Sequence, residues 1–185
     1  KICINKVRLS ILGIVACFVI FSLPAYPIEA INRLGIEIPD PPSLNARSAI
    51  LIDAATGTIL YEKEADLRLP PASLAKLVTL HIAMEEIESG RLSLDEIIEI
   101  DPQDCSPSIP YGSSLMYLQP GMKVSVRDLM LGAAVVSGND AAYALARRIA
   151  GSNEEFAKMM NNEVKALGFH NLSFVEPSGL SEFNL

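Results

Sequence analysis

The sequence predicts an α+β fold. Two short β-branched and apolar runs flank a Gly-containing turn between residues 48 and 62, and a succession of segments with helical periodicity follows from residue 70 onward. The 185 residues are 50% hydrophobic and 20% charged, enough to bury one core and too apolar for a disordered chain. The 11 Gly and 12 Pro show no period, which excludes a collagen-like chain. A net charge of −7 and a pI near 4.8 exclude an electrostatic nucleic-acid binder. The absence of Trp and the 6% aromatic content exclude a base-stacking platform.

The elements follow in chain order. Lys1, Lys6 and Arg8 precede a nearly unbroken apolar run from Leu9 to Leu23, and Pro24 and Pro27 come after it. Residues 1–30 are therefore read as a signal peptide or an uncleaved anchor. As a helix the run would span roughly 22 Å, short of the roughly 30 Å hydrocarbon core of a bilayer. Residues 31–47, with Pro39, Pro41 and Pro42, read as a linker, and 48–185 as the folded domain. Ser48 to Asp53 and Thr58 to Glu62 form a hairpin around Ala54 to Gly57.

Pro70-Pro71-Ala72-Ser73 opens a helix with apolar positions at Leu77, Leu80, Met84 and Ile87, widened by Val78, Ile82 and Ala83, and Gly90 stops it. Ser93 to Glu96 starts a short turn, and residues 101–121, rich in Pro, Gly and Ser, form a long loop. Ser125 and Asp128 make a capping box with Asp in place of Glu, opening a helix over Arg127 to Val136. Ser137-Gly138-Asn139 interrupts the pattern, with Asn139 or Asp140 as the cap of an Ala-rich helix that ends at Gly151. Ser152 and Glu155 cap a further helix that stops at Gly168. Phe174-Val175 reads as a short strand and Pro177 to Gly179 as a turn.

No metal or cofactor is expected. Cys3 and Cys17 fall in the leader, so Cys105 has no disulfide partner and reads as a passive thiol. His81 and His170 lack neighbouring ligands at zinc spacing, and His81 reads as a helix-face residue. Met84, Met116, Met122 and Met130 read as packing residues, and Asp140 as a helix N-terminal charge.

Two pairs of residues carry candidate chemistry. Ser73 and Lys76 are one helical turn apart, so the amine can approach the hydroxyl. A serine hydroxyl needs an adjacent base to act as a nucleophile, and a lysine serves once burial or a neighbouring cation lowers its pKa. Taken alone, Ser-x-x-Lys also fits a capping serine followed by an exposed lysine. Ser137 and Asn139 flank a glycine that permits a sharp turn, which also fits a plain helix-to-helix connection.

With Pro70-Pro71-Ala72-Ser73-Leu74-Ala75-Lys76, Gly112-Ser113-Ser114 and Ser137-Gly138-Asn139-Asp140-Ala141-Ala142 taken together, residues 45–185 resemble the low-molecular-mass penicillin-binding proteins, and among them the serine-type D-alanyl-D-alanine carboxypeptidases. The resemblance implies a β-lactamase/transpeptidase-like α-β-α sandwich with a helical subdomain. It implies Ser73 as the nucleophile, Lys76 as its general base, Ser137 as a proton relay that also holds Lys76, and Asn139 as a substrate-binding amide that also pins Lys76. The substrate would be a peptidoglycan stem peptide, and β-lactams would acylate the same serine. Membrane association would come through the leader or through a C-terminal segment beyond residue 185.

The family's third element, Lys-Thr-Gly or Lys-Ser-Gly on an edge strand, does not occur between Asn139 and Leu185. The chain is therefore expected to correspond to the N-terminal part of the fold, without the C-terminal strands and with impaired activity. Lys158 and Lys165 read as solvated charges. A class A β-lactamase-like hydrolase and an inactive, non-enzymatic remnant are the alternatives; for the first, no loop carrying a deacylating Glu is evident between Gly168 and Leu185.

Overall fold

The computed structural model describes residues 40–105 and 108–185. The leader, most of the linker, Cys3 and Cys17 lie outside the described residues. The chain divides into two units between Ala65 and Asp66. Residues 40–46 of the linker form neither helix nor strand and are exposed.

In the first unit, β1 (Ala49–Ile52) pairs antiparallel with β2 (Ile59–Lys63), with Ala49 opposite Lys63 and Ile52 opposite Ile59. The turn is built by Asp53. Its Oδ1 accepts the N–H groups of Ala55 and Thr56 at 2.9 and 2.8 Å and the Thr56 hydroxyl at 2.9 Å, and Gly57 closes the loop at φ 73°. These bonds, the Thr56 N–H foremost, hold the Asp53 carboxyl below its ordinary range.

Among the described residues, the second unit holds four α-helices and a small sheet. A 3₁₀ turn (Ala72–Leu74) leads into α1 (Ala75–Glu88). β3 (Ile97–Glu99) and β4 (Lys123–Ser125) pair antiparallel, followed by α2 (Val126–Val135), α3 (Asn139–Ala150) and α4 (Asn153–Ala166). Both serines cap their helices: Ser125 Oγ accepts the Asp128 N–H and Ser152 Oγ the Glu155 N–H, each at 3.1 Å. The cap of α3 is Gly138 rather than Asn139 or Asp140. Among the described residues, no helix is long and apolar enough to cross a membrane.

Two buried clusters meet along α3. One gathers Leu92, Ile100, Cys105, Leu118, Leu129 and Leu145; the other gathers Ile82, Ala146, Phe156, Met160, Val164 and Phe174. The small side chains Ala141, Ala142, Ala144 and Ala146 let the neighbouring elements approach the α3 backbone closely, so a helix with few large residues still lies at the centre. Cys105 is part of the core rather than of a polar loop, and its thiol donates to the Pro102 carbonyl at 2.9 Å.

Three further expectations differ from the structure. The buried face of α1 is Ala75, Lys76, Thr79, Ile82 and Ala83, whereas Leu77 and Met84 are 65% and 51% exposed. A helix apolar on several sides does not announce which side faces in. Ser73 lies inside the 3₁₀ turn and makes no side-chain cap. Phe174 is not in a strand: its N–H and C=O are both taken by the amide of Asn161, at 2.9 and 2.7 Å, which occupies the place of a strand neighbour.

Candidate active site

The site lies in the second unit, where the start of α1, the α2–α3 bend and the segment 177–179 converge. Ala72 adopts a left-handed φ of 48° immediately before Ser73, and Ser137 does the same at 58°. A non-glycine residue in this region costs about 1–2 kcal/mol and persists only where its surroundings impose it. Gly179 packs against the Ala72 carbonyl with no room for a side chain, and the bend is tied down by Gly138 N–H to Gly132 O and Asn139 N–H to Ser114 O, each at 2.9 Å.

Asp140 completes that anchoring. Its buried carboxylate accepts the N–H groups of Met116 and Leu118 across the bend, at 2.8 and 2.9 Å, and that of Ala141 at 2.9 Å. The charge expected at the helix start therefore also clamps the long loop to the bend.

Three of the four candidate side chains come together. Ser73 Oγ lies 3.3 Å from Lys76 Nζ and 2.9 Å from Ser137 Oγ. Lys76 is only 3% exposed, and its ammonium donates at 2.8 Å to the carbonyl of Ser178. Burial lowers the Lys76 pKa from the ordinary lysine value, and the charge of Glu176 opposes part of that shift. Asn139 is buried beside the bend at the start of α3, but its side chain is not among the Lys76 partners. Lys76 thus bonds to Ser73 Oγ and to the Ser178 carbonyl. A cleft of about 350 Å³ opens at Ser73, lined also by Lys76, Leu77, Ala133, Ala134 and Ser137.

In the sequence the stretch Phe174 to Leu180 reads only as a short strand and a turn flanking the resemblance, and its approach to Lys76 was not foreseen. Thr79 Oγ1 donates to Pro177 O at 2.7 Å, next to the Lys76–Ser178 bond. Glu176 is half-buried under this segment and receives hydrogen bonds from several sides. Burial pushes its carboxyl up, but the Ser178 hydroxyl, followed by the N–H groups of Ser178, Ser181 and Gly179, outweigh burial and hold it below the usual range. Tyr143 on α3 donates to Glu176 at 3.1 Å, and its phenol is pushed up to about 12, first by burial. The one available sequence signal was a Glu two residues before a serine within a Pro-Ser-Gly turn.

Elsewhere, His81, Glu85 and Glu163 bring one ligand atom each to within 4.8 Å of one another, with His81 Nε2 at 3.2 Å from Glu163 Oε1. His81 thus sits on a helix face, as read, but within a polar cluster.

Comparison with known proteins defines first the class. The structure is similar to penicillin binding protein 5 from Haemophilus influenzae, with a TM-score of 0.73 and 36% identity over 77% of this chain and 41% of that one. It is also similar to penicillin-binding protein D2 from Listeria monocytogenes in its ampicillin-bound form, with a TM-score of 0.64 and 34% identity over 76% of this chain and 55% of that one. The fold is thus α+β of the penicillin-binding, transpeptidase-like type. The family follows from the sequence: residues 36–185 match the D-alanyl-D-alanine carboxypeptidase (peptidase S11) model, and the chain belongs to that family. It is 40% identical over 137 residues to the D-alanyl-D-alanine carboxypeptidase DacF of Bacillus subtilis, spanning 74% of this chain and about a third (34%) of the relative.

Proposed function

We propose that this chain carries the nucleophile of an exported serine hydrolase that removes the terminal D-alanine from peptidoglycan stem peptides. The observation that carries this reading is the position of Ser73 Oγ between an amine at 3.3 Å and a second hydroxyl at 2.9 Å, beside an open cleft.

The chemistry runs in two steps. Lys76, as free amine, takes the Ser73 hydroxyl proton while Oγ attacks the carbonyl carbon of the penultimate D-alanine. The peptide C–N bond breaks as the Oγ–C ester forms, and the proton passes through Ser137 to the departing amine of D-alanine. Water then attacks the ester carbonyl while Lys76 takes one of its protons; the C–Oγ bond breaks, the shortened peptide leaves with a new carboxyl group, and Lys76 passes the proton from water to Ser73 Oγ. Asn139 binds the substrate's peptide group, and the N–H of Ser73 is one donor to the developing oxyanion. A β-lactam follows the first step, with its ring amide in place of the peptide; the ampicillin-bound relative supports this.

Export rests on the leader expected in residues 1–30, and residues 48–185 form the N-terminal part of the catalytic domain. The Lys-Thr-Gly strand, which supplies the family's second oxyanion donor, is not among these 185 residues.

The test is labelling of the intact protein with benzylpenicillin, followed by mass spectrometry. An adduct on Ser73 that is absent from Ser73→Ala and turns over slowly supports the carboxypeptidase reading. Rapid release of the opened drug favours the β-lactamase reading instead, and an adduct on another residue ends both.

A further inference from the structure

We propose that Glu176 is a positioning residue for Lys76: its carboxylate builds the Pro177–Gly179 turn and, through the Ser178–Gly179 peptide unit, fixes where the Lys76 amine stands beside Ser73. This rests on the reading of Ser73 and Lys76 as nucleophile and base.

The geometry is specific. One peptide unit lies between the two charges. Its N–H, that of Gly179, donates to Glu176 Oε1 at 2.7 Å, and its carbonyl, that of Ser178, accepts from Lys76 Nζ at 2.8 Å. Carboxylate and ammonium thus hold opposite ends of the same dipole, and each orients it for the other. The remaining bonds fix the carboxylate itself. Oε1 also accepts from Asn184 Nδ2 at 2.6 Å and from the Ser181 N–H at 3.2 Å. Oε2 accepts from the Ser178 N–H at 2.7 Å, the Ser178 hydroxyl at 2.6 Å and the Tyr143 hydroxyl at 3.1 Å.

A carboxylate offers about four lone-pair sites. Here both oxygens are fully engaged by donors, so Glu176 has no free site with which to draw a proton from a hydrolytic water. That separates it from a deacylating base, although it stands in the loop after Gly168 where such a residue was sought. The charged and titratable groups acting on the network are Lys76 from α1, Tyr143 from α3 and Glu176 itself, with Asp104 acting on Tyr143. Because the Glu176 charge offsets part of the burial effect on Lys76, its removal favours the free amine.

The experiment measures the second-order rate of acylation by benzylpenicillin against pH, and the release rate of the adduct, in the intact protein, Glu176→Gln and Tyr143→Phe. Glu176→Gln is expected to acylate about tenfold or more slowly, from misplacement of the base. Its acid limb should move to lower pH, and adduct release should remain within about threefold of wild type, a change worth under 1 kcal/mol of barrier. Tyr143→Phe removes one donor and keeps the charge. It should acylate a few-fold more slowly with an unmoved limb, while the fold stays intact and the melting temperature falls by no more than several degrees. If circular dichroism shows Glu176→Gln unfolded, Tyr143→Phe decides alone, and wild-type acylation in it overturns the proposal. Wild-type acylation and an unmoved limb in folded Glu176→Gln overturn it too, as does normal acylation with a stalled adduct, which would make Glu176 a hydrolytic base. A wild-type protein that takes no adduct on Ser73 sinks the serine reading, and this proposal with it.

Discussion

Gly179 stands so close to Ala72 that a Cβ at 179 would lie 1.8 Å from the Ala72 carbonyl oxygen and 3.0 Å from the Ser73 nitrogen. The residue before the nucleophile and the end of the Glu176 turn therefore share one contact that tolerates no side chain. Gly179 also has φ +89°, so Gly179→Ala meets both a steric and a conformational barrier. The expected outcome is loss of Ser73 labelling by fluorescent penicillin. Gly90→Ala is the matched control. Its φ of +77° is equally left-handed, but nothing lies within 4 Å of a Cβ there. It should lose about 1–2 kcal/mol of stability and keep its labelling.

Lys76 sets the pH dependence of acylation. The base works as the free amine, so the rate rises as pH climbs through the folded-state pKa. Burial holds that pKa below the ordinary 10.5, which places the rising limb lower than that of a solvated lysine. The same shift has a stability consequence. Below the folded pKa the buried ammonium destabilises the native state, and that penalty fades as pH rises toward the unfolded value. Lys76→Arg keeps the charge but cannot give up its proton, and should acylate at least ~10²-fold more slowly at every pH. An arginine variant with a wild-type pH–rate profile would remove Lys76 from the role of base.

Asp140 holds the bend in place. Its side chain is fully buried and accepts three backbone N–H groups. Asp140→Ala strands those donors, and bonds to a charged acceptor contribute about 1.5–3 kcal/mol each at most. Denaturant unfolding should show a loss of about 3 kcal/mol or more. Asp140→Asn, which keeps one acceptor oxygen, should fall between the two. Penicillin labelling should drop further than stability alone explains, because Ser137 and Asn139 ride on the bend.

Local signals in the sequence proved legible, while relationships across the chain did not. The Ser125 and Ser152 caps, the Gly151 stop and the Asp53 turn each depend on residues within a few positions of one another. The approach of Ser73 and Lys76 was readable for the same reason, since one helical turn sets it. The Lys76–Ser178 bond joins residues 102 apart, and no local pattern encodes it. β3 and β4, at three residues each, are too short for an alternation to register. Phe174 and Val175 looked like a strand because their side chains favour one, but the Asn161 amide took both backbone groups of Phe174 and Asn184 Oδ1 took the N–H of Val175.

Arg147 and Asp104 form the ion pair on which the stability of the second unit should depend most sharply. Asp104 is 1% exposed, and Arg147 grips it with two bonds, Nε to Oδ2 at 2.5 Å and Nη2 to Oδ1 at 2.9 Å. Asn153 Nδ2 adds a longer contact at 3.4 Å. Arg147→Ala would leave a buried carboxylate with, among the described residues, only that side-chain amide, and removal of one partner from such a pair costs about 3–5 kcal/mol. Asp104→Ala in the same background removes the stranded charge and should recover part of the loss. The neighbouring pair of Arg148 with Glu96 has both partners about one-third exposed, so Arg148→Ala should cost under about 1 kcal/mol. Thermal melts of the three variants and the double variant decide the matter. Equal losses at Arg147 and Arg148 would mean that the burial of Asp104 does not govern the energetics of its pair.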